Sequence, residues 1–74
     1  MIKIKLNKVM ADKDISLKDL AKKIGITEAN LSNIKRGKIT SIRFSTLNAI
    51  CKELNCQPRD ILEYIYDLEK DEIR

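Results

Sequence analysis

The sequence predicts an all-α domain of five short helices, with a brief extended segment in front. Three observations predict it. Apolar residues recur three and four apart along most of the chain, the spacing of one helical face. Ser16, Thr27 and Pro58 stand where helices begin, and Gly25 and Gly37 where they end. The segments between these marks are only a few residues long, as connections between neighbouring helices usually are.

The elements follow in order. Ile2, Ile4 and Leu6 alternate with Lys3 and Lys5, a strand pattern. This lead-in either pairs with a partner strand or frays. Leu6, Val9 and Met10 then fall at helical spacing, which gives a first helix from about Lys5 to Lys13. Ser16 is the N-cap of the second helix, and Asp19 three residues on resembles a capping box. Leu17, Leu20, Ala21 and Ile24 form its apolar stripe, with Lys18, Lys22 and Lys23 off the stripe. Gly25 ends it, because glycine adopts a left-handed conformation without penalty. Thr27 caps a third helix from about Glu28 to Arg36, with Leu31 and Ile34 inward and Gly37 closing it. Residues 38–43 form a loop. Phe44, Leu47, Ile50, Cys51 and Leu54 mark a fourth amphipathic helix. Gln57-Pro58-Arg59-Asp60 starts the fifth, whose core face is Ile61, Leu62 and Ile65. The domain spans residues 1–66. Residues 67–74 form an acidic tail that is either a helix extension or disordered. Tyr64, Tyr66, Leu68 and Ile73 form a dimer surface, or Tyr64 and Leu68 pack back on the first helix.

Composition narrows the function. The chain has 74 residues, 35% of them charged, and three aromatics. So small a core leaves little room for an enzyme pocket. Histidine is absent, which removes the commonest general base and metal ligand. Cys51 and Cys56 are too few for a zinc site or a disulfide framework, and are expected as reduced, partly buried thiols. Neither a catalytic constellation nor a phosphate loop is present, so no enzyme activity, cofactor or small-molecule ligand is expected. No segment reads as a signal peptide or membrane span, and a cytoplasmic location is expected.

Charge is unevenly divided. Residues 1–59 carry 13 Lys/Arg and 5 Asp/Glu, a balance of +8. Residues 60–74 carry 2 Lys/Arg and 6 Asp/Glu, a balance of −4. A basic body with an acidic end suits a polyanionic partner, although a solvated surface has the same composition.

The spacing within Leu17–Arg36 is more specific than the charge. Two helices crossing steeply need a small residue at their approach, and Ala21 is there. The turn between them needs positive φ, and Gly25 supplies it. Leu20, Ile24, Ile26, Leu31 and Ile34 furnish the apolar inner faces. These are the requirements of a helix-turn-helix.

With those residues in place, the sequence resembles the helix-turn-helix domain of lambdoid phage repressors and Cro proteins, the xenobiotic-response-element type. The resemblance lies in Ile15-Ser16-Leu17-Lys18-Asp19-Leu20-Ala21, Gly25-Ile26-Thr27, Leu31-Ser32-Asn33-Ile34, Arg36-Gly37-Lys38 and residues 47–60, and covers roughly residues 5–65. It implies a five-helix, lambda-repressor-like fold that binds double-stranded DNA at a pseudo-palindromic operator, as a homodimer, to regulate transcription, most simply as a repressor. The third helix would be the recognition helix, with Thr27, Glu28, Ala29 and Asn33 at base-facing positions. Ser16, Lys18, Asn30, Ser32, Arg36, Lys38 and Arg43 would meet phosphates or, for Arg43, the minor groove.

Each role has a plainer counterpart. Thr27 caps its helix whatever else it does. Asn33 reads an adenine edge or sits on a solvated face. Glu28 accepts from cytosine N4, or is a helix-start acid turned away from DNA. Arg36 and Lys38 bind phosphate or complement the helix C-terminus. Leu17 departs from the family, which commonly has glutamine there as a phosphate anchor. A protein-interaction module that keeps the fold without DNA binding, an anti-repressor or adaptor, is the alternative.

Overall fold

A computed structural model describes residues 1–66. In chain order the elements are β1 (Ile2–Ile4), α1 (Leu6–Asp12), α2 (Leu17–Ile24), α3 (Glu28–Lys35), α4 (Phe44–Leu54), α5 (Pro58–Ile61) and β2 (Leu62–Tyr64). The five helices fall at the predicted places, and α1 is slightly shorter than predicted. The expectations for residues 67–74, including the roles of Leu68 and Ile73, lie outside the described residues.

One stripe from each helix builds the core. Leu6, Leu20, Leu31, Ile50 and Ile61 are completely buried, one from each of α1 to α5. Each such side chain contributes about 1.5–3 kcal/mol by leaving water. α2 packs against both α3 and α4, and α1 against α3 and α5. Ala21 is 2% exposed, as the close approach within the helix-turn-helix requires. Ile24 and Ile26 are half-buried and pack on the core's edge.

The first four helices stop in the same way. The residues after them, Asp14, Gly25, Gly37 and Asn55, all have positive φ. In each case the next amide donates back to the carbonyl five residues earlier. These bonds are Ile15 to Met10 (3.1 Å), Ile26 to Ala21 (3.1 Å), Lys38 to Asn33 (2.9 Å) and Cys56 to Cys51 (3.0 Å). This is the Schellman closure, which satisfies carbonyls the helix leaves open.

Two predictions are corrected. The fifth helix does not continue through Leu62 to Ile65. It ends after four residues, and Leu62 is extended (φ −115°, ψ 141°). β2 pairs antiparallel with β1, with Ile2 opposite Tyr64, Lys3 opposite Glu63 and Ile4 opposite Leu62. Of the two readings of the lead-in, pairing with a partner strand holds and fraying does not: the partner is this chain's own C-terminal segment. The ribbon is closed at one end by the Lys5 amide on the Ile61 carbonyl (2.6 Å) and at the other by the Ile65 amide on the Met1 carbonyl (2.7 Å). A Lys5–Glu63 ion pair at 3.0 Å spans it. Ile4 and Leu62 pack on the core, whereas Ile65 lies outside it. Tyr64 and Tyr66 are exposed too, and Tyr64 belongs to β2.

The second correction is Phe44. It continues the α4 stripe by spacing but is 87% exposed. The core ends one turn later at Leu47, and the loop residues Ile39 and Ile42 pack on it instead.

Candidate nucleic-acid interface

The interface starts from the two helix caps. The Asp19 amide donates to Ser16 Oγ at 3.1 Å, and the Asn30 amide donates to Thr27 Oγ1 at 3.1 Å. Both hydroxyls accept from their own helix and keep a proton to donate outward. Ser16 and Thr27 thus set where α2 and α3 begin while remaining exposed.

α3 buries Leu31 and Ile34. At about 100° per residue the opposite face centres on Ala29, Asn33 and Arg36, with Ser32 beside them and Asn30 toward one edge. Ala29, Asn30, Asn33 and Arg36 are exposed, and Ser32 is half-buried. Glu28 is exposed but stands toward one edge of this face, in the first turn, where a negative charge complements the helix dipole. A groove-facing surface centred on Ala29 and Asn33 leaves Glu28 lateral.

The structure brings Arg43 to α3. Arg43, Ser41 and Thr46 line one cleft with Asn30 and Ile34. The loop arginine therefore stands beside the recognition-helix position rather than across the molecule. Arg36 lines a different groove, shared with Thr40, Ser41 and the β1 strand. Lys38 is exposed, its amide tied to the Asn33 carbonyl, so the end of α3 fixes its backbone. Lys18 and Lys22 are exposed on α2. Lys23 pairs with Glu53 at 3.6 Å, which ties its charge to α4. Leu17, at the anomalous position, is half-buried against the core. Sequence reasoning passed over Ser41 and Thr46. The hydroxyl-rich run Thr40-Ser41 was the available signal, but only the fold sets it beside Asn30.

Charge and chemistry here suit a binding surface. No group of three or more potential metal ligands exists among the described residues. Cys51 and Cys56 are free, half-buried thiols away from this face. Burial, and then the neighbouring Cys51, push the Cys56 thiol above its usual range. No described helix is long and apolar enough to cross a membrane.

Two capped helices joined at a left-handed glycine, with a polar outward face on the second, define a helix-turn-helix DNA-binding protein. Residues 5–67 match the Cro/C1-type HTH DNA-binding domain, and the chain belongs to that family. Over 64 residues it is 52% identical to the uncharacterized HTH-type transcriptional regulator YozG of Bacillus subtilis (strain 168), covering 86% of this chain and 76% of that protein. Its fold is also that of a candidate DNA-binding protein from Bacteroides fragilis, known from a crystal structure. That match has a TM-score of 0.76 at 24% identity and covers 85% of this chain and 100% of the other.

Proposed function

We propose that this protein regulates transcription by occupying an operator in double-stranded DNA, as a homodimer on a pseudo-palindromic site, with repression by occlusion as the simplest outcome. The observation that carries this reading is the outward face of α3. Ala29 and Asn33 stand at its centre, capped by Thr27, with Arg36, Lys38 and Arg43 around it. Asn33 is suited to pair bidentately with an adenine edge, and Ala29 and the Thr27 methyl to touch a thymine methyl. Ser16, Lys18, Asn30, Ser32, Arg36 and Lys38 supply phosphate contacts, which position the helix without reading sequence. Arg43 enters the flanking minor groove, where narrowing strengthens the attraction for a guanidinium. Glu28, lateral on α3, serves chiefly as a helix-start acid.

Selection of bound duplexes from a random pool tests the reading. A recovered site with two inverted half-sites about 34 Å apart, one turn of DNA, supports a dimer reading two major grooves. Asn33→Ala is expected to cost about 1–3 kcal/mol on the recovered site and to relax preference at one base pair per half-site. Binding indifferent to sequence, or full activity in the Asn33→Ala variant, overturns it in favour of a protein-interaction role.

A further inference from the structure

The left-handed closures that end the first four helices each bring two residues together. The pairs are Met10 with Ile15, Ala21 with Ile26, Asn33 with Lys38, and Cys51 with Cys56. A packing contact between the two side chains commonly accompanies this closure. At the end of α4 the pair consists of the chain's two cysteines.

The backbone fixes their separation. The Cys56 amide donates to the Cys51 carbonyl at 3.0 Å, and Asn55 turns the chain between them at φ 50°. A bond of that length keeps the two Cα atoms within the span of about 4.4–6.8 Å that a disulfide needs. The side chains meet as well, since Cys51 lies within hydrogen-bonding reach of the Cys56 thiol. Both thiols are free and half-buried, so neither is sealed in the core. They line one surface groove together with Lys52. Cys56 also opens on a second groove, which carries Lys5, Lys8 and Lys13 against Asp12 and Asp60. Such an excess of cations favours a thiolate and draws in an anionic reagent.

We propose that Cys51 and Cys56 form a thiol–disulfide exchange site, closed to an intramolecular disulfide by a low-molecular-weight disulfide such as glutathione disulfide and reopened by the matching thiol. One cysteine, as its thiolate, attacks a sulfur of glutathione disulfide. That S–S bond breaks, and one glutathione leaves as a thiolate that takes up the proton the cysteine gave to solvent. The second cysteine then loses its proton and attacks the first cysteine's sulfur, expelling the other glutathione, which is protonated in turn. The chain gives up two electrons and two protons, and glutathione disulfide becomes two glutathione thiols. The new bond staples the last turn of α4 to the turn that enters α5. This site is independent of the DNA-binding reading.

Equilibration of the full chain in glutathione redox buffers tests it, with acid quenching and intact mass measurement. The expected product is a species lighter by two hydrogens, with Cys51 and Cys56 joined in the peptide map and its fraction independent of protein concentration. Cys51→Ser and Cys56→Ser should each stop at a mixed disulfide with one glutathione. Because the fold holds the two thiols together, the closing equilibrium should fall at least tenfold when the chain is unfolded in urea. The oxidised form should accordingly melt at a higher temperature than the reduced form. Accumulation of glutathione adducts on the unaltered folded chain overturns the proposal, as does a disulfide between two chains. A closing equilibrium equal or greater in urea also overturns it, because the two cysteines would then be no more than packing residues of the closure.

Discussion

Asp14, Gly25, Gly37 and Asn55 do the same job at four helix ends, and only two of them are glycine. The two glycines were legible in the sequence because glycine advertises positive φ. Asp14 and Asn55 were not, because either residue is as ordinary in a loop as in a left-handed cap. The distinction has a measurable cost. Asn55→Gly should stabilise the domain by up to about 1 kcal/mol in urea denaturation, by removing the penalty of a side chain at φ 50°. Gly25→Ala should cost about 1–2 kcal/mol. No atom lies within 4 Å of a Cβ built there, so that cost is conformational and not steric. Cys56 carries a pH signature. Its thiol is held protonated above the usual value of 9.0, chiefly by burial. The resulting stability is full below pH 9.0 and is lost as pH rises through the raised folded value. Denaturation midpoints should therefore decline in alkali, and Cys56→Ala should flatten that decline.

At the scale of elements, α2 and α3 were readable because caps, stripe and turn are all local. The end of the chain was not. Ile61, Leu62 and Ile65 fit helical spacing, whereas Leu62, Tyr64 and Tyr66 fit alternation, and a run this short satisfies both. What decides between them is β1, about sixty residues away, which offers open amides and carbonyls that only an extended partner can meet. Phe44 shows the complementary limit. Spacing gives the direction of a stripe but not the point where its neighbours stop. The ribbon ties both ends of the described chain together, so it should contribute to global stability. Ile4→Ala should destabilise by about 1–2 kcal/mol, less than a fully buried isoleucine because Ile4 is half-buried. The same substitution should raise amide exchange at Lys5 and Ile65, whose hydrogen bonds close the ribbon, more than at Leu31 in α3.

For the whole molecule, the division of charge matters more than its total. The net of +4 conceals a body of +8 that carries every proposed DNA contact, and a C-terminal segment of −4 that carries none. Lys23 and Lys5 are held in ion pairs with Glu53 and Glu63, so they count for less toward DNA than composition suggests. Lys18, Arg36 and Lys38 are the exposed cations proposed to meet phosphates. Each phosphate they neutralise releases condensed counterions, worth about 0.9 in the slope of log K against log salt. Three such contacts per protomer therefore give a slope of roughly −2.7, doubled for a dimer on two half-sites. Lys18→Ala and Lys38→Ala should each reduce the slope by about 0.9 per protomer and weaken selected and unrelated duplexes alike. Asn33→Ala should leave the slope untouched and weaken only the selected duplex. Fluorescence anisotropy titrations between 50 and 200 mM salt, on the order of the range where such slopes are measured, separate the two behaviours. A slope that moves with Asn33, or stays fixed when Lys18 and Lys38 are lost, would mean that α3 docks on DNA through a face other than the one centred on Ala29 and Asn33.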